Sequence, residues 1–195
     1  MTDLAVPTSA IARAAAELSR SVSPAFLHNH GARTFAWAVM LAEKDRVEYD
    51  RELLYVGATL HDLGLTEAYD GPRCFENEGA RAAATFATGH GWDALRAEAL
   101  AEAIRLHMDP RVIPEDGPEG YLLNEATGCD CRGHRVDELD SGAVAEVVAE
   151  SPWLDFTDGF LALCEDQARR KPGCLVDIYL RGGFAERVRN APFDR

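Results

Sequence analysis

The run Leu53-Leu54-Tyr55-Val56-Gly57-Ala58-Thr59-Leu60 is apolar on nearly every side and ends in two adjacent polar residues, His61 and Asp62. A helix without a polar face belongs in an interior, so this segment predicts the central buried helix of whatever fold forms around it. Asp50 is placed to cap its start, and Gly64 to stop the chain after His61. His61 and Asp62 then sit at the edge of the core, where an imidazole and a carboxylate are costly to bury without a partner. A divalent metal ion suits both, because these groups are its ordinary ligands.

The remaining text reads as helix after helix. Ser9 caps a first helix to Leu18, and Pro24 opens a second in which Phe26, His30, Arg33, Thr34, Trp37 and Leu41 recur at helical spacing. Further helices are predicted over 76–87, 92–107, 119–127, 137–150, 156–170 and 175–189. Breakers separate them at Asp70-Gly71-Pro72, across the Pro- and Gly-rich stretch 110–120, at the turn Gly128–Gly133, and at Pro172-Gly173. No alternation of period two persists, so the expected fold is all-α. One compact domain over 1–195 is expected, with a motif-bearing core at about 25–135 and helices of 136–190 packed on it.

Thirty-three acidic residues against 20 basic ones leave a net charge of −13. Such a chain repels nucleic acid and anionic membranes, and a small-molecule substrate is the expected partner; self-association stays open. No stretch has the apolar length of a membrane span, and no leader pattern opens the chain. Cys74, Cys129, Cys131, Cys164 and Cys174 form an odd set without framework spacing, which predicts reduced thiols and a cytoplasmic location. Cys129 and Cys131 read as small packing residues, and Cys74 as a loop thiol.

Two further ligand candidates complete a set with His61 and Asp62. His30 shares the inward face of the second helix with Arg33, Thr34 and Trp37. Asp130 lies in Gly128-Cys129-Asp130-Cys131-Arg132-Gly133, read as a turn from which a carboxylate can reach a fixed ion. Two imidazoles and two carboxylates would hold one divalent ion, Zn²⁺ first and Fe²⁺ or Mn²⁺ as alternatives, with positions left for water.

The order His30, His61-Asp62, Asp130 resembles the HD-domain superfamily of metal-dependent hydrolases, in its cyanamide-hydratase-like branch. The segments that carry the resemblance are Asn29–Thr34, Leu60–Thr66, Phe75–Ala80, Ala103–His107, Gly128–Asp130, Asp155–Phe160 and Arg170–Gly173. The resemblance implies the compact helical HD bundle, with His30, His61, Asp62 and Asp130 as metal ligands. It implies a hydratase or hydrolase in which activated water adds to a small neutral nitrile-like or amide-like carbon. Asp62 would accept the proton of the water and His107 would donate one to the developing nitrogen anion. Arg33, Glu76, Met108 and Asp109 are assigned to the substrate pocket. The family commonly has a serine where this chain has Gly31, an arginine where it has Cys74, and a Thr-Ser pair where Met108-Asp109 stands.

Three other readings use the same machinery. A phosphohydrolase would need cationic clamps, for which Arg33, Arg73, Arg105, Arg111 and Arg132 are available, although Arg33 beside Glu76 would also make a structural pair. A di-iron oxygenase would recruit His90 and His107 for a second ion. A non-catalytic ligand-binding module is the fourth reading.

Overall fold

The computed structural model describes residues 2–193. Among them are ten α-helices and no strand, so the all-α expectation holds. The helices are α1 (Ala10–Val22), α2 (Ala25–Asp45), α3 (Arg51–Leu60), α4 (Phe75–Gly89), α5 (Ala94–Leu106), α6 (Pro118–Arg132), α7 (Ser141–Glu150), α8 (Phe156–Arg170), α9 (Leu175–Arg181) and α10 (Phe184–Arg189). None of them is long and apolar enough to cross a membrane.

Local chemistry sets most of the helix starts. Ser9 accepts from the Ala12 amide, Asp50 from those of Glu52 and Leu53, Asp93 from Arg96, and Asp140 from Ala143. The apolar helix α3 packs against α1, α2, α5 and α6. It shares the centre with α2, where every residue from Phe35 to Ala42 is buried. The packing of α4 on α5 and of α2 on α6 closes the bundle around this pair.

Two glycines let backbones approach where the dyad sits. A Cβ on Gly31 would stand 2.8 Å from the Ala58 carbonyl, so α2 and α3 meet closely beside His30. A Cβ on Gly64 would stand 2.0 Å from the Phe75 carbonyl, which draws the short 3₁₀ turn Leu63–Leu65 onto the start of α4. A larger side chain at position 31 has no room in this packing.

Three expectations are corrected. The segment Gly128–Arg132 is the last turn and a half of α6 rather than a separate turn; Gly133, at φ 69°, supplies the left-handed residue that ends the helix. Its burial leaves helical hydrogen bonding as the way to satisfy the backbone. The last helix is split into α9 and α10 by Gly182-Gly183, with Gly183 at φ 80°. Finally, the cysteines are not all reduced: Cys74 and Cys174 form a disulfide across 100 residues of chain, with Cα atoms 5.5 Å apart. Cys129, Cys131 and Cys164 remain free and buried, as packing residues would.

The disulfide joins the residue before α4 to the residue before α9. An ion cluster reinforces the same seam: Asp70 accepts from Lys171 Nζ at 2.6 Å and from Gln167 Nε2 at 3.1 Å, and pairs with Arg170 at 2.7 Å. Burial would raise the Asp70 pKa, but these partners hold it down at about 2.

Closing so long a loop restricts the unfolded chain by a chain-entropy term of about 2–4 kcal/mol. Reduction with dithiothreitol, or the pair Cys74→Ser and Cys174→Ser, is therefore expected to lower the melting temperature by roughly 4–16 °C. Thermal denaturation followed by circular dichroism measures this, and an unchanged midpoint would show that the bond does not constrain the unfolded state.

Candidate metal centre

His30 comes from the first third of α2, His61 and Asp62 from the residues just after α3, and all three are buried. The carbonyl of Ala58 can only accept, so the His61 Nδ1 at 2.9 Å carries the proton. Asp130 Oδ2 lies 2.6 Å from His30 Nδ1 and fixes the same tautomer there. In its neutral form each ring then presents a lone pair on Nε2. These two nitrogens face one another at 3.1 Å.

Asp62 Oδ2 completes the group, 3.3 Å from His61 Nε2 and 3.6 Å from His30 Nε2, buried and without a hydrogen-bond partner. Three ligand atoms thus lie within 4.8 Å of one another. Three converging lone pairs in a dry site repel one another unless a cation lies among them, so the residues fit a metal ion. Burial alone would raise the Asp62 pKa, yet the His61 charge holds it at about 2, and the carboxylate is ionised. Burial would likewise lower that of His61, but the adjoining Asp62 charge outweighs it and the net shift is upward.

Asp130 does not join the three. It was expected as a fourth ligand from a flexible turn, but it lies on α6 with both oxygens engaged, fully buried behind His30. Arg33 grips it in a two-pronged pair, Nε to Oδ1 and Nη2 to Oδ2, each at 2.9 Å. Trp37 Nε1 donates to Oδ1 at 2.6 Å. Burial would raise the Asp130 pKa, but Arg33 and His30 hold it well below the usual carboxylate range. Asp130 therefore orients His30, as carboxylates behind metal-bound histidines do.

Arg33 is likewise not a pocket residue. It is fully buried, its Nη1 donates to the Ser151 and Pro152 carbonyls, and its guanidinium lies 3.8 Å from the Trp153 ring centroid. The structural pair expected with Glu76 is made with Asp130 instead. Glu76 opens α4, buried outside the pocket wall, with its pKa raised by burial.

The three-residue group opens into a cavity of about 330 Å³. Its wall includes Phe75, His107, Met108, Cys131, Phe160, Cys164, Asn124, Thr127, Tyr179 and Phe184. Met108 is thus in the wall. Asp109 is outside it, bonded to Arg111, while its carbonyl accepts from Asn124.

His107 stands beside the group, its ring centroid 5.0 Å from that of His61. Its Nδ1 donates to the Ile104 carbonyl at 2.5 Å, so Nε2 carries the lone pair. Burial, and then the His61 charge, pull its pKa down to about 4. With Nδ1 engaged and the pKa lowered, Nε2 faces the site as an acceptor at neutral pH. His90 is exposed at the end of α4, bonded to the Phe86 carbonyl and outside the pocket, so it offers nothing to a second ion.

Residues 27–145 match the HD domain family. This chain belongs to that family. Two cyanamide hydratases of Saccharomyces cerevisiae, DDI2 and DDI3, are each 29% identical to it over 174 residues, which span 85% of this chain and 76% of theirs. The family match takes in His30, His61, Asp62 and Asp130 within one segment.

Several wall residues of this HD domain escaped the sequence reading. Asn124, Thr127 and Cys131 recur at helical spacing on α6, a periodic signal in plain sight. Phe160, Tyr179, Phe184 and Arg187 come from three helices whose convergence no local pattern marks.

Replacing Asp130 by asparagine takes away the charged acceptor behind His30 and leaves Arg33 without its counter-ion. Metal affinity is expected to fall roughly 10–100-fold, and unfolding free energy in chelator to fall by about 3–5 kcal/mol. Calorimetric metal titration and urea denaturation check the two effects, and wild-type metal affinity in Asp130→Asn would refute the orienting role. Since His61 holds a proton more firmly than free histidine, an incoming ion must displace it. Affinity is therefore expected to fall as pH drops through the raised pKa of His61, with protons released on binding. Titration in buffers of different ionisation enthalpy measures that release; none would contradict a protonated His61.

Proposed function

We propose that this HD domain is a metal-dependent hydratase or hydrolase that adds water to the uncharged carbon of a nitrile-like or amide-like substrate. One observation carries the reading: the pocket-wall side chains seen to bear on the His30, His61 and Asp62 group are His107, Phe160, Cys131 and Cys164, none of them a lysine or arginine. Arg33, the guanidinium nearest in sequence to His30, is consumed by Asp130 and two carbonyls. A transferring phosphoryl group needs cationic clamps where its charge develops. The likeness to cyanamide hydratases supports the same choice.

When bound, a divalent ion (Zn²⁺ first) would supply Lewis-acid activation of water near neutral pH. Asp62 is ionised and faces the pocket, so its carboxylate takes the proton that the attacking water loses. As the carbon–oxygen bond forms, the carbon–nitrogen π bond gives its electron pair to nitrogen. Asp62 returns the proton to that nitrogen, which gives the imidic acid; its O–H proton then moves to nitrogen as the carbonyl forms, giving the amide. His107, with a lone pair on Nε2, accepts a hydrogen bond from the water or from the substrate N–H and so orients it. Phe75 and Phe160 keep bulk water from the reacting carbon.

The test begins with elemental analysis of the purified protein. A panel of cyanamide, alkyl and aryl nitriles, amides, phosphomonoesters and nucleotides is then assayed with the native metal. Amide or urea formation is expected, without phosphate release. His61→Ala is expected to lower metal content and kcat/KM together, by more than the roughly 10–100-fold typical for a group behind a ligand. Phosphate release with no turnover of nitriles or amides would overturn the proposal, as would full turnover by a metal-free His61→Ala protein.

A further inference from the structure

The pocket has two chemically different ends. The inner end holds the buried group His30, His61 and Asp62, and the outer end is lined by exposed Arg132 and Arg187. Phe75, Met108, Phe160, Tyr179 and Phe184 give the same pocket apolar wall. A volume of about 330 Å³ is far more than a molecule as small as cyanamide would fill.

The two outer arginines stand apart in a chain of net charge −13. Neither has a carboxylate within ion-pair reach among the described residues, and Arg187 makes a single bond, from Nη1 to the Gly182 carbonyl at 2.7 Å. The nearby acids are already answered. Glu125 pairs with Arg135 at 2.8 Å and lies 3.6 Å from His134, while Asp109 is bonded to Arg111. Arg132 lies back along its own helix over Gly128, where a Cβ would stand 2.9 Å from Nη2. Both arginines line the same pocket as Tyr179; burial raises the phenol's pKa, with the Arg132 and Arg187 charges acting against that rise and the Asp109 charge adding to it.

We propose that Arg132 and Arg187 form a subsite for a carboxylate, so that the substrate carries its reacting nitrile or amide at one end, an apolar middle and a carboxylate tail at the other. This rests on the nitrile- or amide-directed reading above. Arginine's planar fork matches a carboxylate. A tail with one negative charge suits two guanidiniums set in a strongly acidic protein, whose field opposes more highly charged ligands.

Binding is tested apart from turnover, on full-length protein stripped of metal with chelator, so that no ion can hold the carboxylate. Titration calorimetry compares 3-phenylpropionate, 3-phenylpropionamide and 3-phenylpropylphosphonate. The carboxylate is expected to bind about tenfold or more tighter than the amide, the range of a charge-assisted hydrogen bond. Arg132→Ala with Arg187→Ala should abolish that preference, whereas Arg20→Ala, which removes the same charge from α1, should keep it. A preference that survives the double variant, no preference in the wild type, or tighter binding of the phosphonate would overturn the subsite. Circular dichroism confirms that the double variant is folded, and Arg132→Lys with Arg187→Lys, which keeps the charge but loses the fork, should retain part of the preference.

With metal restored, the specificity ratio for 4-cyanobutyrate over its methyl ester gives the second readout, expected to favour the acid and to collapse in the double variant. Nitriles hydrated without a carboxylate preference would sink the subsite and leave the reaction standing. Carboxylate binding that needs both arginines, with no nitrile or amide turnover, would do the reverse.

Discussion

Asp130 holds the structure and the candidate chemistry together. Its carboxylate is fully buried, and it is tolerable there only because the Arg33 fork, the Trp37 indole and the His30 imidazole all donate to it. Those donors come from α2, so the pairing fixes the rotation of α2 against α6. Arg33 extends the constraint to the segment before α8 through Ser151, Pro152 and Trp153. Rotating α2 to relieve one bond would strand a charge, and that makes the arrangement all-or-none rather than graded.

The same carboxylate decides what His30 can do. By accepting the Nδ1–H hydrogen bond it leaves Nε2 as a lone pair, and the Ala58 carbonyl does the same for His61. The tautomers are therefore set by the scaffold before any ion arrives, which is preorganisation in the strict sense. The close approach of α2 to α3 at Gly31 sets how far apart the two rings stand. Ligand chemistry here is a consequence of helix packing.

Much of this was legible in the chain. Helix starts were marked by Ser9, Asp50 and the prolines, because caps are local. The dyad and His30 could be placed because burial follows helical period. What could not be read was pairing across long separations. Arg33 has two candidate carboxylates, Glu76 and Asp130, and only the packing of α6 on α2 chooses the second. The bond between Cys74 and Cys174 spans 100 residues and leaves three other thiols unpaired, so no spacing rule points to it. Gly128 invited a turn, whereas burial of the segment required a helix. Gly31 meets a carbonyl and Cys74 is in a disulfide, both contacts that only the folded chain brings about.

The inner and outer ends of the pocket answer different physical demands. Close to His30, His61 and Asp62, any extra positive charge would oppose a bound cation, and a guanidinium there would compete for Asp62. That wall accordingly carries phenyl rings, Met108 and thiols whose ionisation burial suppresses at Cys131 and Cys164. His107 obeys the same rule, since its neutral ring adds a lone pair rather than a charge. At the mouth, water screens the ion and a cation no longer disturbs it. Arginines can be kept there for binding, but not further in. A cation site in a dry pocket thus forces charge recognition outward to the rim, which separates where a substrate is held from where it reacts.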